Sequence, residues 1–294
     1  PSCNSTHTHT QNLRSPKPSP NITNTPAGWS SPVAMSDAQA HGGDPNENLD
    51  QRIRRTDPDR WLASRFVADP SARETVVAIY ALNEELARVG PSVTQPLAGE
   101  IRLAWWRERI EAIAGGDAAP PQPVLQALAP WMASGRAPVD LLDALVEARH
   151  MDLEIAPFSD DAALARYLDG TSGAVMGLAA RALDSAAPLR AVVEVGRAWG
   201  LAGLYRARAV WRARGRRWVP ATWGDMNEAA LRSRVLAEVE AALARGTSER
   251  TGLPVAAFPA VAYATLVRSY ARGREPGEFG RRLAIVRAVV TGRL

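Results

Sequence analysis

Residues 71–89, SARETVVAIYALNEELARV, decide the fold. Asp69-Pro70 ahead of them stops any preceding element. Ser71 with Glu74 three positions later has the spacing of a capping box, in which two side chains satisfy the backbone N–H groups that open a helix. Val76, Ile79, Tyr80, Leu86 and Val89 then recur every three to four residues, the period of a helix face. The spacing predicts a helix over 71–89.

The same signal continues on both sides. A helix is predicted over about 96–114, with Leu97, Ile101, Trp105 and Ile110 in line and a stop at Gly115-Gly116. Others are expected at about 124–133, 139–155, 161–168, 171–184, 188–213, 226–245, 254–272 and 277–291, separated by Gly, Pro and Asp-Gly punctuation. No strand alternation competes and no fixed-period repeat is present, so the fold class is all-α. Residues 51–294 are enough for one large core. Residues 1–50 differ in composition: 1–34 are rich in Ser, Thr, Asn and Pro and hold no acid, and 35–56 read as a polar approach to the fold. The leader is expected to be disordered, or to arise from a start assigned upstream of Met35. A transit peptide would carry more arginine than Arg14, beside Lys17, provides.

Composition removes several kinds of chemistry. Cys3 is the only cysteine, which excludes a disulfide framework and a cysteine zinc site and suits a reducing compartment. Of His7, His9, His41 and His150, only the last lies in the domain, so His-based triads and two-His metal sites are untenable. Asp, Glu, Arg, Tyr and Ser remain. Net charge is +4 with a pI near 9.7, and Lys17 is the only lysine, so the positive charge is arginine. No apolar run reaches the roughly 18 residues that suggest a membrane span, which predicts a soluble or peripheral protein.

Two stretches resemble the squalene/phytoene synthase family. Residues 76–91, VVAIYALNEELARVGP, are similar to the family helix A-L-Y-A-F-C-R-x-A-D-D-I-V-D. Residues 195–220, VGRAWGLAGLYRARAVWRARGRRWVP, fit without a gap the signature L-G-x-A-x-Q-L-T-N-I-x-R-D-x-x-E-D-x-x-R-G-R-x-Y-L-P. Tyr167 with Thr171-Ser-Gly173 resembles a Tyr-x-x-x-Val-Ala-Gly segment between them. The resemblance covers residues 57–291. It implies an isoprenoid-synthase-type helical bundle around a central cavity, with the 71–89 and 188–213 helices facing across it. It also implies head-to-head condensation of two prenyl diphosphates, assisted by magnesium ions held by aspartates at i and i+4 on two helices.

Those aspartates are missing. The four positions are Ala87, Pro91, Ala207 and Trp211, with Arg88 in place of a further aspartate and Val210 in place of a glutamate. Gly200 and Gly203 replace a glutamine and an asparagine. Tyr80, Gly196, Ala198, Arg206, Gly215, Arg216 and Pro220 keep the family pattern. Arg197 to Gly224 contains no carboxylate and seven arginines. A site that should attract cations is therefore expected to repel them, and the candidate anion site is Arg88, Arg206, Arg208, Arg214 and Arg216 with Tyr80 and Tyr167. Arginine holds phosphate oxygens bidentately without a metal.

Within the family the chain is most similar to the respiratory complex I assembly factors, whose sequences read like FNxELARV followed by GEIRLQWWR. Here residues 82–89 are LNEELARV and 99–107 are GEIRLAWWR. The resemblance implies a non-catalytic role in assembling a membrane respiratory complex, with a complex subunit or assembly protein as partner. A prenyl diphosphate or anionic lipid is a further candidate ligand. No cofactor is expected. The alternative is an active head-to-head prenyl transferase using magnesium, for which Glu84 and Glu85 are weak metal candidates. Surface pairing with Arg88 one turn on is the plainer role for these acids. The expected location is cytoplasmic, peripheral at the inner membrane, or the mitochondrial matrix in a eukaryote. The Tyr205–Trp218 run is either a solvated basic face or a headgroup-level membrane contact. Nucleic acid is not an expected partner, since no binding module accompanies the charge. Core packing accounts for Trp105-Trp106, a core or boundary position for His150, and helix capping for Asp57, Asp59 and Asp160-Asp161.

Overall fold

The computed structural model describes residue 1 and residues 47–156, 158–248 and 252–294, so the expectation for residues 2–46 lies outside the described residues. Helices follow one another throughout, and no strand occurs among the described residues. No helix there is long and apolar enough to cross a membrane.

The first element corrects the polar approach expected over 35–56. Helix α1 (Leu49–Thr56) is opened by a capping box, with Asn48 Oδ1 accepting from the Gln51 amide at 2.9 Å. It buries Ile53 alone, too little apolar surface to give a periodic signal. Asp57 caps α2 (Pro58–Ser64). Helix α3 (Pro70–Val89) starts one residue before the prediction, because Asp69 accepts from the Ser71 and Ala72 amides and Pro70 occupies the first turn. The Ser71–Glu74 capping box does not form. An aspartate ahead of a proline is the stronger opening, since proline has no N–H to leave unsatisfied.

Helix α4 (Pro96–Ala114) matches its predicted bounds, and α5 (Pro123–Ala133) nearly does. Helix α6 (Val139–Ala148) ends sooner than expected and continues as a 3-10 turn, Arg149–Leu153. Then come α7 (Asp161–Leu168), a π turn over Asp169–Gly173, and α8 (Ala174–Leu183). The single helix expected over 188–213 is two, α9 (Leu189–Arg206) and α10 (Arg208–Ala213), meeting at Ala207. At the joint Arg208 turns back and donates to the Tyr205 carbonyl at 2.9 Å, a side chain competing for the carbonyls of the last turn. After α11 (Glu228–Ser248), the segment expected as one helix over 254–272 is mostly 3-10, Val255–Ala260 and Ala262–Leu266, with only α12 (Val267–Ala271) regular. Pro259 inside it removes an amide donor that an α-helix would need. Helix α13 (Glu278–Thr291) closes the order.

Helices α3, α8 and α9 form the centre. Val76 to Leu82 are all buried, as are Ala174 to Ala180 and Ala198 to Tyr205, so side chains all round each helix meet protein. Two glycines permit this density. A Cβ on Gly196 would lie 2.6 Å from the Gly173 Cα, and one on Gly200 would lie 2.7 Å from Ser172 Oγ. Gly200 therefore replaces the family's glutamine by letting α9 close onto the π turn.

Aromatic rings fill the middle of the bundle. Trp199 meets Tyr263 at 4.7 Å and Tyr270 at 5.8 Å, while Tyr80 stands edge-on to Tyr263 at 6.5 Å. The Arg60 guanidinium is buried among them, 5.6 Å from the Tyr80 ring and 5.3 Å from that of Tyr263, and is ion-paired with Asp57 at 3.0 Å. Asp59 is not a cap but a buried acceptor. Tyr270 donates to it at 2.6 Å and Arg281 of α13 at 3.3 Å. Asp160 caps α7, whereas Asp161 accepts from Trp223 and Arg234.

Burial pushes the Asp59 carboxyl up to about 6. The native state then holds this proton more tightly than the unfolded chain does, so stability is fullest below the ordinary aspartate value and falls as pH rises through about 6. Asp59→Asn is expected to remove this dependence. Between pH 4 and 7 it should gain up to about 3 kcal/mol relative to the wild type, measured by paired denaturant melts.

Candidate functional site

The C-terminal end of α3 and the start of the segment after α10 enclose a cleft of about 240 Å³, lined by Gly90, Pro91, Val93, Asp152, Glu154, Trp211, Arg214 and Arg216 among others. Pro91 and Trp211 are two of the four positions where the family pattern calls for aspartate. Ala87 is buried on α3, and Ala207 forms the joint between α9 and α10.

Arg216 is fixed by backbone. Its Nη1 donates to the Asp152 carbonyl at 2.7 Å and its Nη2 to that of Met151 at 3.0 Å, with the guanidinium 4.7 Å from the Trp211 ring centroid. Burial holds its pKa below the usual arginine range. The Trp211 indole N–H is buried without an acceptor among the described residues. The walls of the cleft thus carry more donor capacity than the neighbouring protein satisfies.

Beneath the cleft lies a buried polar network that sequence reasoning missed. Arg149 donates to Asp152 Oδ2 at 3.0 Å and to Asn83 Oδ1 at 2.7 Å, and Tyr167 donates to Asp152 Oδ1 at 2.8 Å. Burial, then the Asp152 charge, pushes the Tyr167 hydroxyl well above its usual pKa, so it stays a donor. The available signal was Arg149 following Leu142 and Val146 in an apolar line, with Asp152 three residues on. His150 beside it is half-buried, at the boundary of the core.

The other candidates are dispersed. Arg206 forks onto Glu275 at 2.6 and 2.9 Å and lies over the Tyr270 ring, and Arg208 lies over Tyr205 and pairs with Glu228 at 3.0 Å. Tyr80 is in the core beside Arg60, its hydroxyl without a hydrogen-bond partner among the described residues. Arg88 pairs with Glu84 at 2.5 Å. Arg88 and Arg206 therefore have acids of their own, Glu84 one turn away and Glu275 on the segment before α13. Of the seven candidates the structure brings Arg214 and Arg216 to the cleft, with Tyr167 under its floor.

Glu84 and Glu85 are drawn the other way. Glu84 is buried rather than on the surface, and Arg52 of α1 joins it at 2.8 Å and Glu85 at 2.6 Å. Magnesium requires several oxygen ligands at octahedral geometry. At the cleft Asp152 has both carboxylate oxygens committed, which leaves Glu154 facing two arginines. No group of three metal-ligating side chains gathers among the described residues. The residues present do not fit the ion that the family pattern implies. Trp106 packs inward as expected, but Trp105 is exposed.

A family model described as squalene/phytoene synthase matches residues 53–287. No match was found among the curated proteins. Among solved structures, a dehydrosqualene synthase in complex with ligand aligns with a TM-score of 0.69 and 14% identity, over 83% of this chain and 94% of that one. Squalene synthase HpnC from Alicyclobacillus acidocaldarius aligns with a TM-score of 0.59 and 17% identity, over 78% of this chain and 88% of that one. At these identities the likeness is one of fold.

Glu84→Gln separates a structural from a metal-binding role. The substitution should cost roughly 2–3 kcal/mol in a urea melt, because Arg52 and Arg88 lose a buried partner. Calorimetric titration with magnesium should give the same weak heats for variant and wild type.

Proposed function

The chain belongs to the squalene/phytoene synthase family, and we propose that it performs no prenyl transfer but binds a phosphate-bearing anion in the cleft without a metal and serves the assembly of a membrane respiratory complex. One observation carries the first part: the cleft presents Pro91 and Trp211 where the family's pattern calls for carboxylates, and keeps Arg214 and Arg216 beside them. Expelling diphosphate needs a divalent cation to take up the developing charge. Two guanidinium groups oppose that cation and complement the anion instead. The anion is a prenyl diphosphate or a phospholipid headgroup, which share the diester or diphosphate oxygens that arginine recognises.

The assembly role rests on the resemblance of residues 82–89 and 99–107 to complex I assembly factors, and the geometry is consistent with a partner-binding use of the second stretch. On α4, Ile101 is 63% exposed, in line with Leu97 and Trp105, and all three stand on the outer face. Side chains turned to solvent contribute nothing to a buried reaction. They supply apolar contact area to another protein.

Pyrophosphate without magnesium should stabilise the protein by about 2.7 kcal/mol at a hundredfold excess over its Kd. Arg214→Ala should weaken this response and Glu154→Gln should strengthen it, both read in a thermal melt. With magnesium and farnesyl or geranylgeranyl diphosphate, no pyrophosphate should appear. A magnesium-dependent C30 or C40 product above a heat-killed control overturns the reading.

A further inference from the structure

Helix α13 has two apolar faces. Ile285 and Ala288 are buried against the body, and Arg281 on that side reaches Asp59. On the opposite side Phe279 is 80% exposed, Leu283 57%, Val286 39% and Val290 78%. At about 100° per residue their 4-3-4 spacing makes one narrow stripe along the helix. The same geometry places Arg282 on one flank of the stripe and Arg287 on the other. Arg282 pairs with Glu278, the one acid of the helix, while Arg287 and the following Arg293 have no ion pair among the described residues.

We infer that the outer face of α13 lies on an anionic bilayer surface, with the Phe279–Leu283–Val286–Val290 stripe at the acyl boundary and Arg282 and Arg287 at the phosphates. Four apolar side chains in line, bordered by cations on both sides, are what a helix lying in the interface presents. Charge decides against the other occupants. A second copy would set this arginine-flanked stripe against its own like, with a single glutamate to offset several cations. The exposed stripe of α4 makes the contrast: Glu100, Glu108 and Glu111 stand on the outer side of that helix with Leu97 and Ile101, and anionic lipid would repel it. The inference names the membrane surface for the role proposed above, yet α13 lends no residue to the cleft, so either stands without the other.

The test is sedimentation of the full chain with phosphatidylcholine vesicles, with and without 30 mol% phosphatidylglycerol, at low and high salt. Wild type should bind the anionic vesicles and release them in high salt. Arg282→Ala with Arg287→Ala should bind about thirtyfold more weakly, and Leu283→Glu with Val290→Glu should not bind. Phe279→Trp should show a blue-shifted emission on anionic vesicles. Ile101→Glu on α4 and Arg214→Ala at the cleft should bind as wild type does, which keeps failure of this inference distinct from failure of the cleft reading. Each variant is first matched to wild type by circular dichroism. Absence of vesicle binding, equal binding by the Leu283→Glu/Val290→Glu variant, or a lipid-free dimer by light scattering that this variant dissociates, would each overturn the inference. Only the last would assign the stripe to a protein surface.

Discussion

A carboxylate sealed from water needs protein donors in place of the lost solvent, and Asp152 is the point at which this chain meets that need. Arg149 and Tyr167 take its two oxygens, and Arg216 takes its backbone carbonyl. Gly90 has no side chain, which lets the end of α3 rest against the same carbonyl; a Cβ there would lie 2.8 Å from it. Four segments far apart in sequence are thereby held in one arrangement: the ends of α3 and α7, the turn after α6 and the chain after α10. The cleft is the space these segments leave.

That arrangement determines the electrostatics of the cleft. The central acid is already neutralised by Arg149, so it offers nothing to a cation approaching from solvent. Arg216 beside it has no ion pair among the described residues. It is held by two carbonyl dipoles and the Trp211 ring, and its lowered pKa reflects a guanidinium taken partly out of water. On the proposed reading, a phosphate-bearing anion is the complement such walls favour. Glu154 at the rim sets a limit on how strongly it is held.

Much of the fold was legible in the sequence where punctuation and period agreed. Helix α4 runs between Pro96 and Gly115, and each residue marks its boundary for a conformational reason. Legibility failed where a tertiary contact overrode local preference. Nothing in Arg208 announces that it will return to the Tyr205 carbonyl, and α1 owes its place to Arg52 reaching Glu84, 32 residues away. At the site, Pro91, Trp211, Arg214 and Arg216 could be named because the family pattern indexes them. Asn83 could not, since a buried polar contact spanning 66 residues leaves no periodicity to read, and Arg149 with Asp152 left only the faint signal of a charge in an apolar line. Arg206 was misplaced for the converse reason: a charge without a neighbouring acid in sequence can still have one in space, here Glu275. Arg88 takes the partner its own helix offers, Glu84 one turn back.

The ion pairs between α1 and α3 have an evolutionary consequence. Carboxylates gathered to hold metal ions repel one another whenever the metal leaves, so an active site of that kind is a standing burden on stability, and selection for stability alone erodes it. Here Glu84 and Glu85 gain Arg52 and Arg88 and become part of what holds the bundle closed. On the proposed reading the lineage has passed through a ratchet. Any single return to aspartate near the cleft would first meet a stability cost, well before enough acids had accumulated to bind an ion, so drift among folded sequences leads away from the ancestral chemistry.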